Sequence, residues 1–531
     1  MNTNEQTDRY LPLQFIKTAR NNFKKPAIAD TTGKDLTFGK ALIASILLGN
    51  ELKRMTEGEE MIGVLLPSTV GGALTNIAIP LIGKVAVNLN FTASADAFNS
   101  SIEQCNLKTV ITARPFAEKI AAKCPVPENA VFIEDILEGI SSGAKIKALL
   151  KALLLPASML YSAKGTTPDD LATIIFSSGS TGDPKGIMLS HQNILSNIES
   201  FQKVLNFDGN DRLCAVLPFF HSFGFTATLW APLVTGFQAC YHPNPIEGAA
   251  VAQLVRERKL TMLFATPTFL LTYMAKAKED DFRSLRLIVT GAEKLKKKLA
   301  DKFEARFGIR PMEGYGATEC SPVIATNVAD SVVGGVVKVG CKDGSVGRPV
   351  PGVAVKVVHP ETREQLGENE EGLLLVKGPN VMRGYLGQPE KTAKVIQDGW
   401  YTTGDIARVD PDGFIFLLDR LMRYSKIGGE MVPHLALEEE LLQGLGAVNQ
   451  ILFVTAAPDE RKGEQLVVLF TPEVGDPEKL HAIVKESSLP NLWHPRKDNF
   501  FQIEEMPALG SGKLDLKQLK VMATELVEAK A

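Results

Sequence analysis

The sequence predicts an α/β protein: two doubly wound α/β subdomains and a small β-barrel or sheet, followed by a small α+β domain. Three observations predict it. Short apolar runs of strand length alternate with helical patterns through the first 340 residues, the mark of crossover units around mostly parallel sheets. Beyond residue 340 the strand signals shorten and are broken by Gly and Pro, as in VAVKVVHP, GLLLVKGP and GFIFLLD, which suits a small antiparallel barrel or sheet. Around Arg420 the pattern changes again to mixed helix and strand. The expected divisions are therefore 1–170, 171–340 and 341–419 within a large first domain, and 420–531 for the second.

In chain order, Thr37 to Leu52 carries Leu42, Ile43, Ile46 and Leu47 at helical spacing. Ile62 to Leu66 reads as a buried strand that stops at Pro67, and Val85 to Leu89 as another. The stretch AKIKALLKALLLPASMLY sets Lys145, Lys147 and Lys151 among leucines. It is expected to be a core-packing helix with its lysines reaching to water; the alternative is a basic amphipathic helix on an anionic membrane. Cys214 to Leu217, Leu260 to Phe264 and Leu285 to Val289 are further strands, and Arg310 to Met312 leads into a turn over Glu313–Glu319. Two successive strands thus end in Gly-containing polar turns, where doubly wound sheets bind ligands. In the last unit, Leu435–Leu442 reads as a helix, Ile451–Thr455 and Gln465–Phe470 as strands, and a final strand ends near Met506. A hinge between the two domains is expected close to Asp419–Arg423.

Between the strand-like run Leu171–Phe176 and a following helical pattern lies Ser177, Ser178, Gly179, Ser180, Thr181, Gly182, Asp183, Pro184, Lys185, Gly186. Small residues admit a phosphate close to backbone N–H groups, hydroxyls add donors, and Lys185 adds a cation. A Walker A loop places its Lys directly after the second Gly; here Asp183 and Pro184 intervene. A flexible Ser/Gly linker is the alternative. The strand before the loop, the embedded Pro-Lys-Gly and the apolar sequence on both sides weigh against it.

Composition narrows the class. Apolar residues make up 45% and charged residues 22% of 531, with a net charge of -3. That is an ordinary globular balance with no electrostatic case for nucleic acid. The six cysteines form no C-x-x-C pair, so neither a zinc site nor a disulfide framework is expected. The first residues lack a basic region followed by an apolar one, and no apolar run is long enough to span a bilayer. The expected compartment is the cytoplasm, with peripheral contact at the inner membrane face if the Lys145–Lys151 helix lies on lipid.

Several side chains carry chemistry only in combination. Glu319, after Thr318 in a Gly-Tyr-Gly turn, suits a magnesium ion that borrows one protein carboxylate and keeps its waters. Asp405, after Tyr-Thr-Thr-Gly, suits a ribose diol or an Asx-turn cap. Arg420 can serve the same site or pair with Asp419. Lys513, between glycines, can neutralise charge developing between two anions or stand solvated. No carboxylate partner for His221 is identifiable in sequence, so it is given no acid–base role, and no H-x4-D or H-E-x-x-H occurs.

Collectively SSGSTGDPKG, GAEKL, EGYGATECSPV, YTTGDIARVDPDGFIFLLDR, KIGGEMV and GSGKLD resemble the adenylate-forming superfamily of acyl-CoA synthetases, peptide-synthetase adenylation domains and luciferases. The combination of LPFFHSFG, TGAEKL, EGYGATECSPV, KIGGEMV and NLWHPR…MPALGSGK resembles the acyl-acyl carrier protein synthetase part of 2-acylglycerophosphoethanolamine acyltransferases more than a generic CoA ligase. The resemblance implies a small mobile C-terminal domain closing on a site between the domains. It implies ATP and Mg2+ as cofactors, a fatty acid as substrate, and a phosphopantetheine thiol, of acyl carrier protein or CoA, as acceptor. Ser177 to Lys185 would hold the β- and γ-phosphates. Gly291, Ala292 and Glu293 would frame adenine together with Gly314, Tyr315 and Gly316. Thr318 would contact the α-phosphate and Glu319 the metal, Asp405 and Arg420 would bind ribose, and Lys513 would act during adenylation. Met422 stands where the superfamily hinge usually has Asp or Lys. The acyltransferase motif of the bifunctional enzymes is missing, so a separate acyltransferase is the expected partner for lysophospholipid acylation.

Overall fold

Strand order and register in the computed structural model explain where the polar turns meet. The structure describes residues 9–161, 167–177, 184–334, 336–427, 430–447, 449–459, 461–507 and 514–530. A seven-stranded sheet runs Gly384–Tyr385, Gly186–Ser190, Leu171–Phe176, Val85–Asn88, Met61–Val64, Val110–Thr112, Ala130–Phe132. A nine-stranded sheet runs Arg348–Pro349, Val323–Thr326, Met312–Gly316, Leu287–Thr290, Met262–Ala265, Arg212–Ala215, Gln238–Tyr241, Pro26–Asp30, Asp35–Thr37. Their central strands pair in parallel and antiparallel strands lie at the edges, as crossover connections require.

Sheet membership does not follow the expected division at residue 170. Pro26–Asp30 belongs to the nine-stranded sheet, beside Gln238–Tyr241. Leu171–Phe176, Gly186–Ser190 and Gly384–Tyr385 belong to the seven-stranded one. Periodicity reports strand length and burial but carries no record of which sheet a strand joins.

Helices Leu11–Asn21, Phe38–Met55, Val70–Leu81 and His191–Leu205 share one apolar core with strands of both sheets. Thr37 caps the second of these, its hydroxyl accepting from Lys40 N at 3.3 Å, so the predicted start holds and the helix runs one turn further to Met55. Helices Gly248–Arg258, Pro267–Lys276 and Lys297–Phe307 carry residues of a separate cluster on the nine-stranded sheet, around Leu263, Ile288 and Phe303.

A helix is expected directly after the Ser177–Gly186 loop, but the chain first returns as strand Gly186–Ser190, antiparallel to Leu171–Phe176. The helix starts only at His191, where Ser190 and Asn193 form a reciprocal capping box. The two strands are held together at their open end by Ser177 N to Lys185 O at 3.0 Å and Lys185 N to Ser177 Oγ at 3.2 Å.

Ala354–Val358, Gly372–Lys377, Trp400–Val409, Ile396–Gln397 and Ile415–Arg420 form an antiparallel five-stranded sheet along an open path. The terminal unit has its own five-stranded sheet, Glu430–Pro433, Tyr424–Ile427, Gly463–Phe470 and Leu452–Asp459 with Phe500–Gln502. Helices His434–Gly444 and Glu478–Glu486 belong to one of its cores and Leu516–Glu528 to another. Asp419 ties the units together: its Oδ1 accepts from Arg420 N at 2.7 Å and its Oδ2 from Leu435 N, on helix His434–Gly444 of the terminal unit, at 2.9 Å.

Candidate active site

The strands Leu171–Phe176, Met262–Ala265, Leu287–Thr290 and Met312–Gly316 all end at one cavity of about 2020 Å³. Ser177, Lys185, Gly291, Ala292, Glu293, Gly314, Tyr315, Gly316, Thr318, Glu319, Asp405 and Arg420 line it. Residues from three sheets, spread over 243 positions of chain, therefore line one cavity, at strand ends where an open α/β sheet is built to take a ligand. Ser178, Gly179, Ser180, Thr181, Gly182 and Lys513 lie outside the described residues.

The Glu313–Glu319 turn is tighter than its sequence suggests. Met312–Gly316 is a strand paired antiparallel with Val323–Thr326. A Cβ on Gly316 would stand 2.4 Å from Pro322 O, so only glycine fits this hairpin. Thr318–Cys320 is a short 3-10 turn that brings the Thr318 hydroxyl 3.1 Å from Ser222 Oγ. Glu319 Oε1 accepts from the Tyr385 hydroxyl at 3.0 Å, and Lys185 Nζ stands 5.2 Å over the same ring. Burial, and then the Glu319 charge, push the Tyr385 phenol well up, so it stays a donor to that carboxylate.

Asp405 is not at the end of a turn but inside strand Trp400–Val409. The register shift opposite Leu373 and Leu375 makes a bulge there, with Gly404 at φ +79°. Thr403 holds the bulge: its hydroxyl donates to Leu374 O at 2.8 Å and accepts from Asp405 N at 3.0 Å. Asp405 accepts from the Tyr315 hydroxyl and faces Arg420 Nε at 3.4 Å. Arg420 therefore pairs with Asp405 rather than Asp419, whose carboxylate is taken up by the N–H groups of Arg420 and Leu435. Burial lifts the Tyr315 phenol far above its ordinary range, with Asp405 adding to the effect.

Ala292 adopts φ +72° between Gly291 and Glu293, a conformation that costs a non-glycine residue energy and clusters at functional sites. Glu293 Oε2 accepts from Thr268 N at 3.2 Å and from its hydroxyl at 2.6 Å, so this carboxylate also caps helix Pro267–Lys276. Among the described residues no group of three His, Cys, Asp or Glu side chains could hold a metal. A fit remains for magnesium, which takes one or two protein oxygens and completes its octahedron from phosphates and waters; Glu319 beside the Thr318 hydroxyl offers that set.

Sequence reasoning missed Ser222, Tyr385 and Glu313. Nothing local marks the first two, because their partners lie 96 and 66 positions away. Glu313 is buried, accepts from Leu295 N at 3.0 Å, and is pushed up to about 7 by burial against the pull of the Leu295 N–H and Lys294. Also missed is an apolar arm of the cavity, lined by Phe201, Leu205, Ala227 and Phe264. Ala227 lies on a π-helical stretch, Gly224–Trp230, which Ala231 N closes by bonding back to Thr226 O. Such wide turns recur at functional sites.

The family described as AMP-binding enzyme matches residues 15–386. The chain is 27% identical over 526 residues to a long-chain-fatty-acid–CoA ligase of Bacillus subtilis (strain 168), covering 93% of this chain and 91% of that one. It is 28% identical over 530 residues to 4-coumarate–CoA ligase 3 of Oryza sativa subsp. japonica, covering 97% and 93%. Its fold is similar to o-succinylbenzoate coenzyme A synthetase of Bacillus subtilis, solved in complex with ATP and magnesium ion, at a TM-score of 0.78 and 23% identity over 95% of this chain and 98% of that one.

Proposed function

The chain belongs to the AMP-binding enzyme family, and from that premise we propose that it joins a fatty acid to a phosphopantetheine thiol through an acyl-adenylate. As a member it is an AMP-forming acid–thiol ligase with ATP and magnesium as cofactors. In the first half-reaction a carboxylate oxygen attacks the α-phosphorus and the bond to pyrophosphate breaks. In the second, the thiol sulfur attacks the acyl carbonyl and AMP departs with the oxygen.

The observation that carries the fatty-acid reading is the union of a polar wall with an apolar arm in one cavity. The volume of about 2020 Å³ exceeds the roughly 300–1,000 Å³ of an ordinary ligand pocket, leaving room for an acyl chain beyond a nucleotide. Thr318 and Ser222 stand in the polar wall and Ala227 in the apolar arm.

In this reading the Thr318 hydroxyl donates to the α-phosphate, and Asp405 accepts from the ribose diol with Arg420 holding its second oxygen. Gly291, Ala292 and the Gly314–Gly316 backbone frame adenine, and the Ser177–Lys185 loop holds the departing pyrophosphate. Glu319 would hold magnesium, which when bound neutralises phosphate charge as the anions meet. Lys513 neutralises the attacking carboxylate. Leu516, three residues later, lines the cavity, which supports that assignment. Closure of the small domain about Asp419–Arg423 keeps acyl-adenylate from water.

We assign the thiol to an acyl carrier protein, on the motif likeness of LPFFHSFG and NLWHPR…MPALGSGK, with a separate acyltransferase consuming the product. CoA is the second reading, favoured by the names of the relatives. We set the enzyme in the cytoplasm; its six cysteines are all free thiols, as a reducing compartment keeps them. Pyrophosphate exchange with a series of fatty acids tests the first step, and absence of exchange at every chain length sinks it. Offering holo-acyl carrier protein and CoA in parallel decides the acceptor. Lys513→Ala should abolish exchange while thioester formation from supplied acyl-adenylate persists; survival of both would remove Lys513 from the reaction.

A further inference from the structure

Helix Ser142–Leu154 was expected to bury its leucines, and it does the reverse. Ala148 and Ala152, one turn apart, are the residues it buries, packed in the core shared with helix Phe38–Met55. Small side chains let the two helices approach closely and fix which way this one faces. Its ends are fastened as well. The Ser141 hydroxyl accepts from Ala144 N at 3.2 Å, and Arg20 donates to the carbonyls of Ala152, at 2.9 Å, and Leu155.

The opposite face presents Ile146, Leu149, Leu150, Leu153 and Leu154 to solvent, the last 74% exposed, and Met159 in the following 3-10 segment is exposed as well. With a turn of about 100° per residue, these leucines and Ile146 fill an arc opposite the alanines. Lys145 stands at one edge of that arc and Lys147, then Lys151, at the other. The helix carries no acidic side chain. Contiguous apolar surface of this kind marks a contact site.

We propose that this helix lies in the surface of an anionic bilayer, its aliphatic face among the upper acyl chains and its lysines level with the phosphates. Charge and side-chain chemistry select that occupant. Ammonium groups on long stems at both margins of an apolar stripe are the arrangement that lets a helix sink to its axis while its charges stay at the headgroups. A protein interface of ordinary kind centres on aromatic or Arg anchors in pockets, and this face has neither. A single helix of this length gives reversible, salt-sensitive attachment.

Sedimentation of the full-length protein with vesicles tests the proposal. Wild type should pellet with mixed phosphatidylcholine–phosphatidylglycerol vesicles and not with phosphatidylcholine alone, and high salt should weaken binding about tenfold or more. The double variant L150E/L153E should stay in the supernatant with an unchanged melting temperature. If that variant melts early, K145E/K147E/K151E, altered only at edge positions, takes its place and should lose the anionic preference. Wild type remaining in the supernatant at low salt overturns the proposal, as does wild-type binding by both variants. A vesicle-free dimer that L150E/L153E converts to monomer assigns the face to a second copy instead and overturns it too.

Discussion

The phenol of Tyr315 donates its hydrogen bond to the carboxylate of Asp405, 90 positions further along the chain. Tyr315 sits on the nine-stranded sheet and Asp405 on the antiparallel sheet that follows it, so this bond joins the two sheets in the lining of the cavity. It also leaves Asp405 oriented, with one oxygen toward Tyr315 and the other toward Arg420. Tyr315→Phe keeps the ring and removes the tie. A lost bond to a charged acceptor is worth about 1.5–3 kcal/mol, so KM for ATP should rise roughly tenfold or more with a smaller change in kcat. Asp405→Ala should cost more, since it also removes the acceptor proposed for the ribose. Steady-state kinetics at saturating fatty acid check both; an unchanged KM for ATP in Asp405→Ala would remove that residue from the nucleotide site.

Glu319→Gln preserves the shape that accepts the Tyr385 hydroxyl and discards only the charge. If this carboxylate holds magnesium, the metal concentration needed for half-maximal pyrophosphate exchange should rise. The rate at saturation should fall about 10²–10³-fold, the scale for losing one preorganised electrostatic contact. Tyr385→Phe should fall between wild type and Glu319→Gln, because it frees the carboxylate without neutralising it. An unshifted magnesium titration in Glu319→Gln would argue that the metal takes its oxygens elsewhere.

The fold was legible where chemistry is local. The helical spacing from Thr37 to Leu52 marks the helix Phe38–Met55, and the apolar runs Ile62–Leu66 and Leu285–Val289 overlap the strands Met61–Val64 and Leu287–Thr290. What could not be read is pairing at a distance. Pro26–Asp30 crosses to the second sheet because Gln238–Tyr241 is there to receive it, and no residue near Pro26 encodes that. The same holds at the site. Residues in Gly-rich turns were identifiable because such turns need unusual composition, whereas Tyr385, Ser222 and Ala227 are ordinary residues made special by what folds against them. The helix at Ser142–Leu154 shows the limit most clearly: its periodicity is the same whether alanines or leucines face inward.

Glu313 gives stability a defined pH dependence. Its folded value of about 7 lies above the ordinary 4.5 because burial disfavours the charged form. A raised carboxyl value means the folded state binds the proton more tightly, so the contribution is complete below about pH 4.5 and is lost as pH rises through 7. The shift corresponds to about 3 kcal/mol. Asp419, pushed up to about 6 by burial although Arg423 pulls it down, acts in the same direction. Melting temperature should therefore fall between about pH 4 and 7, and Glu313→Gln should flatten part of that slope, leaving the share due to Asp419. A slope identical to wild type would show that Glu313 is ionised throughout.

Ala227 is one of the apolar residues that line the cavity. It is buried and lies on the π-helical stretch beside Phe225 and Trp230. Ala227→Phe would fill the arm with a ring. Long-chain acids should then lose about tenfold or more in exchange rate while short-chain acids keep theirs, since excluding several methylenes forfeits about 0.8 kcal/mol each. Stability should drop by about 1–3 kcal/mol from overpacking, which thermal melting measures separately. Equal losses at every chain length would place the acyl chain outside this arm.

Lys294 Nζ meets Glu439 Oε1 at 2.5 Å and Lys298 Nζ donates to Gly446 O at 3.2 Å, so the segment after Gly291–Glu293 grips helix His434–Gly444 of the terminal unit. Both partners of the ion pair are about half exposed, and an exposed pair is worth roughly 0.2–1 kcal/mol. That is small for stability yet enough to bias an equilibrium between two domain orientations. Glu439→Lys replaces attraction by repulsion at a position outside the cavity lining. If the small domain rotates between half-reactions, pyrophosphate exchange and thioester formation from supplied acyl-adenylate should change in opposite directions, each by about two- to fivefold. High salt should shrink the difference, because both charges are solvated. Parallel loss of both activities would point to damaged folding, and no change in either would mean that this contact does not select the orientation.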